Sequence, residues 1–448
     1  MKNLLLAIAL LFAARETLAQ VPGTTTITRW PGDKTGAVSI TFDDGSINQF
    51  KRALPILNRL KLKATFFIIT GQIPGSKYEG KFIGRPVKDI IAETATIATD
   101  SNNFYERASA AGYLGLVGPL DYHYQAGSLI DAGKPLQAYR VIDELYKKVR
   151  NNQFKPGIQH NTEYMDAQGT TWNEIRTFAA QGHEFASHMV THPRLAALDE
   201  PNMLYEMQSS RMDILRELGP QYTFSAEGPF GTENERVMGY LHQVYPALRN
   251  RMPETWLKEI SRSNPANPGN TDKEYIQFQR GATTKTPMPM MKGWVDTTLN
   301  RNDTWLVLTF HGVDSIGWEA LTHQQLDNYF SYIKAAESKL WIATFGDVTR
   351  YIRERQSAKV TVKATTPVHI TVELTQPLDN VMYNQPLTLK TYIPADWKEV
   401  WLVQGVFSSA AIILKPIPTP GGGLPYVLYQ VKPNAGTTML MRGPVDKP

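Results

Sequence analysis

The sequence predicts an α/β fold built on a parallel sheet, followed by a separate all-β region. Over residues 36–356, apolar runs of β type alternate with amphipathic helical segments, which is typical of a parallel sheet in a barrel or an open sheet. From residue 357 onward, short β-rich runs separated by turn residues replace the helical pattern. The length of 448 residues suits two or three domains, each large enough to bury its own core.

The composition excludes several classes of protein. Hydrophobic residues make up 42% of the chain and charged residues 20%, as in folded proteins. Lys and Arg number 47 and Asp and Glu 42, so the formal net charge is 47 − 42 = +5, too small and dispersed for charge-driven nucleic-acid binding. The chain contains no cysteine, which excludes disulfides, thiol nucleophiles and Cys-ligated zinc. The composition leaves the oligomeric state open.

Residues 1–19 have the layout of a secretory signal peptide. Lys2 precedes an apolar run from Leu4 to Ala14, and small residues end at Ala19. This predicts cleavage after Ala19 and a secreted or periplasmic protein. The apolar run is too short to span a bilayer, and no later stretch resembles a transmembrane segment. The alternative is a buried N-terminal helix.

The elements of the α/β region follow one another in a regular order. Residues 37–42 form a strand candidate that runs directly into two aspartates and a glycine, and apolar residues at helical spacing follow. A second strand candidate covers residues 64–70, and a capping box at residues 171–174 begins a later helix. The remaining strand candidates are residues 184–187, 222–226, 305–310 and 340–344.

Two further regions stand apart from this alternation. Residues 71–169 form a long insertion with a helical segment around Leu136 to Val149, and we expect a lid or a substrate wall there. Residues 357–448 predict an immunoglobulin-like β-sandwich as an accessory domain, in which Trp401 and Tyr429 either bind carbohydrate or pack in the core. Its strand candidates are residues 359–363, 369–374, 387–393, 400–403, 411–414, 426–431 and 438–441.

Asp43 and Asp44 follow the first strand candidate directly. Adjacent carboxylates are costly to bring together unless a cation or a proton separates their roles. The carboxyl ends of strands are where α/β folds build their sites. The alternative is a capped turn, since Asp-Gly is a common turn pair.

Histidines end two other strand candidates. His188 and His192 are four residues apart on a short turn before Pro193, so they can share a metal ion. Two histidines and one carboxylate leave open positions for water, as in catalytic metal sites. His311 follows the strand candidate at residues 305–310. Each histidine alone is compatible with a structural role, but three strand ends with such residues favour a shared site.

The motifs resemble those of the polysaccharide deacetylases, carbohydrate esterase family 4, also called the nodulation-type deacetylase homology domain. They are T-F-D-D-G at residues 41–45, S-H-x-x-x-H-P at residues 187–193 and the strand that ends in His311, in the order of the family. The resemblance covers residues 36–71 and 169–355. It implies a distorted (β/α) barrel with the site at the carboxyl ends of the strands, within a catalytic domain of residues 20–356.

The resemblance also implies roles for individual residues. Asp44, His188 and His192 would hold a divalent metal, most simply zinc. Asp43 would be the general base that takes a proton from the activated water, and His311 would be the general acid that protonates the leaving amine or alcohol.

Further residues would complete the site. After Pro229, the backbone N–H of Phe230 would stabilise the oxyanion, and Trp294 would line the acetyl pocket unless it packs in the core. Asp296 and Asp303 are the candidates for a carboxylate that orients His311.

The sequence departs from the family at one position. The third motif usually has Arg, any residue, Pro and an aromatic residue, but here Glu227 occupies the position of the Arg. That Arg normally pairs with the base, so a carboxylate there is expected to raise the pKa of Asp43. Arg194 and Arg280 are the candidates for a replacement cation.

The predicted function is hydrolysis of acetyl groups, N-linked or O-linked, from an acetylated polysaccharide or oligosaccharide by metal-activated water. One alternative is a catalytically inactive glycan-binding protein on the same fold, which Glu227 favours. A further alternative is a C–N hydrolase that acts on a small amide.

Overall fold

The structure, a computed structural model, describes residues 20–160, 170–252, 257–259, 268–269, 271–404 and 412–444. The predicted signal peptide lies outside the described residues, as do residues 161–169 of the insertion. The chain divides into two compact units, one formed by Lys34–Gln356 with Leu378–Gln385 and the other by residues 20–33, 357–377 and 386–444. Within the described ranges, no helix combines the length and the apolar character that a membrane crossing requires.

The strands are numbered in chain order. They are β1 (Thr25–Ile27), β2 (Gly36–Phe42), β3 (Ala64–Ile68), β4 (Leu116–Val117), β5 (Lys155–Pro156), β6 (Glu184–Ser187), β7 (Ser225–Ala226), β8 (Ala247–Leu248), β9 (Lys258–Glu259), β10 (Ile276–Gly281), β11 (Thr304–Phe310), β12 (Leu340–Ile342), β13 (Lys359–Thr365), β14 (His369–Thr375), β15 (Leu387–Tyr392), β16 (Val400–Gln404), β17 (Ile412–Leu414), β18 (Tyr426–Val431) and β19 (Thr437–Arg442).

The α-helices are numbered in the same way. They are α1 (Leu54–Arg59), α2 (Val87–Glu93), α3 (Phe104–Ala110), α4 (Pro119–Asp131), α5 (Pro135–Arg150), α6 (Trp172–Ala180), α7 (Glu200–Leu218), α8 (Glu235–Val244), α9 (Met288–Leu299), α10 (His323–Ala335) and α11 (Phe345–Ser357).

One parallel sheet forms the centre of the larger unit, with neighbouring strands in the order β8-β7-β6-β3-β2-β11-β10-β9. Strand β2 pairs with β11 along its length, with β12 at its first residues and with β3 at its last. All residues of β2 and β11 are buried, as expected for parallel strands covered on both faces. The sheet curls into a half-barrel, which confirms the predicted fold class, a distorted (β/α) barrel followed by a β-rich region.

Aromatic rings fill the core beside the central strands. Phe42 of β2 stacks on Phe66 of β3 with ring centroids 5.3 Å apart, and it lies 5.4 Å from Phe310 of β11. These rings belong to a large cluster of buried side chains that includes residues of α1, α6, α9 and α10. The strand ends that carry the candidate site therefore rest on a packed core.

The insertion is a folded helical subdomain. Its helices α2 to α5 share a hydrophobic cluster of their own, in which Phe104, Ile142 and Tyr146 are fully buried. The helical segment predicted around Leu136 to Val149 lies within α5. Short strands β4 and β5 pair antiparallel beside these helices.

The smaller unit contains two antiparallel sheets, with strand orders β1-β15-β18 and β13-β14-β19-β16-β17. Burial alternates along β14 and β19, the pattern of a sheet with one buried face. Strand β1 pairs with β15, so residues 20–33, which the sequence analysis assigned to the catalytic domain, lie in this unit. The ring of Tyr429 is buried and its hydroxyl bonds to Thr391, which places it in the core. The immunoglobulin-like sandwich stays a prediction.

Candidate metal and catalytic site

The candidate site lies along one edge of the parallel sheet. Asp43 follows β2, His188 follows β6, Glu227 follows β7 and Arg249 follows β8. The backbone N–H of each donates to a carbonyl of the neighbouring strand: Phe310, Ile68, Ser187 and Ala226, respectively. The sheet ladder thus extends one residue past the strands and fixes these positions at adjacent strand ends.

Asp44, His188 and His192 form a buried cluster that fits a metal ion. Oδ1 of Asp44 lies 3.5 Å from Nε2 of His188 and 3.4 Å from Nε2 of His192. The possible ligand atoms of the three residues all lie within 4.8 Å of one another. Nδ1 of His188 donates to the carbonyl oxygen of Glu227 at 3.0 Å, which directs Nε2 towards Asp44. Two imidazole nitrogens and a carboxylate are suitable ligands for a divalent ion of the zinc type.

Two of the candidate metal ligands, and one residue of the turn between the histidines, have an unfavourable backbone. Asp44, Met189 and His192 adopt positive φ values of 74°, 68° and 60°, in the left-handed region that side chains disfavour. Each such residue costs about 1–3 kcal/mol and persists only where the surroundings hold it in place.

Glu206 of α7 holds the turn between His188 and His192 in place. Its carboxylate accepts hydrogen bonds from the backbone N–H of Val190 at 2.8 Å and of Thr191 at 2.9 Å, and from the Thr191 hydroxyl at 2.6 Å. Burial raises the pKa of Glu206 despite these bonds. Glu206 was not predicted from the sequence, because no motif distinguishes it from other acidic residues of an amphipathic helix.

Arg249 is the cation that pairs with Asp43. Its Nη1 donates to Oδ1 of Asp43 at 2.7 Å, and its Nη2 donates to Oδ2 at 2.5 Å. The same guanidinium binds the Thr41 hydroxyl at 2.7 Å and Oε1 of Glu227 at 2.9 Å. A planar guanidinium is suited to such a two-pronged contact.

Arg194 and Arg280, the residues predicted to supply a cation to Asp43, bind other partners. Arg194 binds Asp131 at 3.1 Å, and its guanidinium lies 4.4 Å from the ring centre of Phe230. Arg280 donates to the carbonyl oxygen of Gln279 at 2.7 Å and lies over the ring of Phe278. The structure shows neither of the two in contact with Asp43.

The expected effect of Glu227 on Asp43 is also wrong. Burial alone would raise the pKa of Asp43, but the charge of Arg249 and then that of His311 outweigh burial and hold the pKa below its usual value. Glu227 binds the same guanidinium. Asp43 consequently stays ionised at neutral pH.

His311 lies beside Asp43. Nε2 of His311 is 3.4 Å from Oδ2 of Asp43, and the side chain is 19% exposed. The amide of Gln49 donates to the backbone carbonyls of both residues, at 2.5 Å to Asp43 and 2.8 Å to His311, and so fixes one against the other.

The carboxylates expected to orient His311 bind elsewhere. Asp296 accepts from the hydroxyl of Tyr332 at 2.6 Å, and Asp303 forms an ion pair with Arg301. Within the described ranges, Nδ1 of His311 is buried without a hydrogen-bond partner. The sequence candidates Asp296 and Asp303 are thus not part of the site.

Phe230 lies beside one of the candidate metal ligands, and Trp294 lies in the core. Phe230 follows the buried Pro229, has a φ of 61° and places its ring 4.6 Å from that of His192. Trp294 is only 4% exposed and belongs to the main hydrophobic cluster through α9, which favours the alternative that it packs in the core. Another tryptophan, Trp318, lies with its ring 4.6 Å from that of His311. Trp318 was not predicted from the sequence, because it lies in a loop outside the motifs that resemble the family.

The insertion supports the segment after the metal-ligand candidates. Nε2 of His123 in α4 accepts from the backbone N–H of Arg194 at 3.1 Å, and its Nδ1 donates to the carbonyl of Ala108 at 2.9 Å. Burial lowers the pKa of His123 to about 4, so its ring is neutral, as these two bonds require. His123 therefore acts as a structural link to this segment.

Comparisons with known proteins find one matching family model and one curated relative with a related sequence. Residues 32–97 and 140–246 match the family model described as polysaccharide deacetylase. A curated relative, a gellan lyase from a Bacillus species, is 23% identical over 292 residues, which cover 60% of this chain and 11% of the relative. The chain therefore spans about a tenth of the length of that relative.

Two solved structures are similar at low identity. A putative polysaccharide deacetylase from Mycobacterium smegmatis is 12% identical, with 75% of this chain and 96% of that chain covered and a TM-score of 0.38. A family 4 carbohydrate esterase from Bacillus subtilis is 12% identical, with 74% and 84% covered and a TM-score of 0.31. The family match confirms the resemblance indicated by the motifs, and it places a polysaccharide deacetylase domain at residues 32–97 and 140–246.

Proposed function

We propose that this protein is a secreted, metal-dependent deacetylase that hydrolyses N-acetyl or O-acetyl groups of a polysaccharide or oligosaccharide. The match to the polysaccharide deacetylase family model supports carbohydrate deacetylase activity. The observation that carries the metal dependence and the mechanism is one cluster at the sheet edge. In it, Asp44, His188 and His192 lie beside the pair Asp43 and His311. The predicted signal peptide supports export. The relative named for gellan, a polysaccharide, supports a polymeric substrate.

Asp44, His188 and His192 are the residues that would hold the metal ion. A divalent ion of the zinc type, once bound, lowers the pKa of water and polarises the carbonyl of an acetyl group. The carbonyl of Glu227 keeps the Nε2 atom of His188 available as a ligand. Glu206 keeps the turn between the two histidines in its strained form.

Asp43 and His311 divide the proton transfers. Asp43 is ionised at neutral pH, because the Arg249 guanidinium stabilises its charge, and it can orient a water molecule and accept its proton. His311 at 3.4 Å is close enough to exchange a proton with Asp43, and it is partly exposed, so it can protonate the leaving amine or alcohol. The backbone N–H of Phe230, next to His192, is the proposed donor to the oxyanion.

Arg249 weakens the main argument for an inactive protein. Glu227 favoured that alternative because it replaces the arginine that normally pairs with the base. In this chain, Arg249 of the next strand end makes that contact with Asp43 through two hydrogen bonds. The alternative of a glycan-binding protein without turnover is retained as an outcome of the test.

The test is acetate release from N-acetylated and O-acetylated glycans by protein stripped of metal and reloaded with zinc. Asp43→Asn is the test variant, and Asp89→Asn, at an exposed aspartate of α2, is the matched control. Zinc-dependent release that the control retains and Asp43→Asn loses supports the proposal. Stoichiometric zinc binding without acetate from any glycan overturns the enzyme in favour of the glycan-binding protein. Absence of zinc binding contradicts the metal assignment.

A further inference from the structure

Trp318 is unusually exposed for a residue beside a buried site. Its side chain is 54% exposed, although tryptophan is highly buried on average. Its indole and the imidazole of His311 form a T-shaped pair, with ring centroids 4.6 Å apart and an interplanar angle of 80°. One side of the indole is thus fixed by the proposed general acid, and the exposed remainder is available to a ligand.

The loop that carries Trp318 is held by its own backbone. The N–H of Gly312 donates to the carbonyl of Trp318 at 2.8 Å, and the N–H of Leu321 donates to the carbonyl of Gly312 at 3.2 Å. The next residue, Glu319, accepts from the backbone and the hydroxyl of Thr284 at 2.8 and 2.6 Å. These bonds fix the backbone on both sides of the indole, so its exposure does not result from a loose loop tip.

A second exposed aromatic ring lies at the other end of the site. Phe230 is 40% exposed and its ring lies 4.6 Å from that of His192. His192 contacts Asp44, and His311 contacts the neighbouring Asp43, each at 3.4 Å. Phe230 is therefore the exposed ring beside the candidate metal ligand His192, and Trp318 is the exposed ring beside the proposed general acid.

We propose that Trp318 is a substrate-binding residue on which the pyranose ring that carries the acetyl group stacks, so that the leaving amine or alcohol lies beside His311. This inference rests on the proposed function. Pyranose rings present a face of C–H groups, and aromatic rings bind such apolar faces while hydroxyls point away to water. Trp318 thereby selects an acetyl group on a sugar ring over one on an acyclic molecule.

The first experiment compares two substrates in Trp318→Phe and Trp318→Ala. One is an acetylated oligosaccharide that the wild type deacetylates, and the other is glycerol triacetate, an acyclic ester without rings. We expect KM for the oligosaccharide to rise at least tenfold in Trp318→Ala and less in Trp318→Phe, with kcat changed less than KM. The loss of kcat/KM should be at least tenfold greater for the oligosaccharide than for the acyclic ester. Leu136→Ala, at an exposed leucine of α5, is the control and should match the wild type on both substrates.

Equal losses on both substrates would show that the loop only supports His311, and an unchanged KM for the oligosaccharide would show that no sugar stacks there. Either result overturns the inference.

The second experiment needs no turnover. Asp43→Asn protein is titrated with N-acetylated chito-oligosaccharide and O-acetylated xylo-oligosaccharide, and its tryptophan fluorescence is compared with that of Asp43→Asn/Trp318→Phe. A saturable change in fluorescence that the Trp318→Phe substitution removes supports the stacking role. If the wild type also releases no acetate, the proposed function fails but the stacking role stands. The same saturable change in both proteins, or none in either, overturns the stacking role.

Discussion

Arg249 donates two hydrogen bonds to Asp43, at 2.7 and 2.5 Å, from the strand end next to the one that carries Glu227. Its Nη2 also lies 2.9 Å from Oε1 of Glu227. The buried guanidinium of Arg249 thus pairs with two buried carboxylates, those of Asp43 and Glu227. Asp43 keeps a counter-charge although position 227 carries a carboxylate.

Arg249→Met leaves two buried carboxylates without their cation. Removal of one partner of a buried ion pair costs about 3–5 kcal/mol, so we expect a markedly lower unfolding temperature and loss of activity. Arg249→Met/Glu227→Gln should recover part of the stability, because one of the two unpaired carboxylates is gone. Thermal unfolding monitored by circular dichroism measures both variants.

Arg249→Lys separates charge from geometry at the same position. A lysine keeps the charge but cannot form the two-pronged contact, so we expect a folded protein with kcat lowered at least tenfold. Arg251→Lys, at the partly exposed arginine two residues on, is the control. Full activity in Arg249→Lys would contradict a role for the guanidinium geometry.

Glu206→Gln tests the support of the histidine turn. A glutamine offers one oxygen where the carboxylate accepts three hydrogen bonds from Val190 and Thr191, so the strained turn should loosen. Partners that orient metal ligands typically contribute 10–100-fold to affinity, and we expect zinc affinity to fall by about that factor. Competition with a fluorescent zinc chelator measures the affinity. Glu79→Gln, at an exposed glutamate of the insertion, should bind zinc as the wild type does.

The sequence located the polar residues at the strand ends because a local pattern marks them. Each of Asp43, His188 and His311 directly follows a strand candidate, and parallel strands bring their carboxyl ends to one edge of the sheet. Arg249 also follows a strand, β8, but that strand has only two residues and no recognisable pattern. A charged residue after a short apolar run occurs at many places in a sequence, so this pattern alone does not identify Arg249 as a site residue.

The packing of Trp294 and the pairing of β1 differ in how far the sequence predicts them. Met291, Trp294 and Val295 of α9 are all buried, and this helical spacing of apolar residues is the signature of a core-facing stripe. The sequence therefore contained a reason to place Trp294 in the core. Strand β1 pairs Thr25 with Thr391, a contact across most of the chain that no local pattern predicts.

Glu354 makes the stability of the larger unit depend on pH. It is fully buried in α11, and burial raises its pKa from 4.5 to about 7, against a hydrogen bond from Gln385. Below pH 4.5 both folded and unfolded states are protonated at this residue. Between pH 4.5 and 7 the unfolded state loses the proton first, so the free energy of unfolding falls as the pH rises.

Glu354→Gln should remove this penalty. At about 1.4 kcal/mol per unit of pKa, the shift corresponds to on the order of 3 kcal/mol. We expect the variant to unfold at a higher temperature than the wild type at pH 8, with the difference disappearing near pH 4.5. Thermal unfolding across this pH range measures it. Glu79→Gln should show no such pH-dependent difference, and a stabilisation independent of pH would contradict the assignment to Glu354.

Gly312→Ala tests the close approach that orders the loop after His311. A Cβ at Gly312 would lie 2.5 Å from the carbonyl oxygens of Ile316 and Gly317, which are backbone atoms that cannot rotate away. We expect a loss of about 1–3 kcal/mol in stability, as for other overpacked positions, and a loss of activity, since the displaced loop carries Trp318 away from His311. Gly281→Ala at the end of β10 is the control, because nothing lies within 4 Å of its Cβ position. Acetate release and thermal unfolding are measured together, and a Gly312→Ala variant with wild-type values of both would show that this loop is more adaptable than its hydrogen bonds imply.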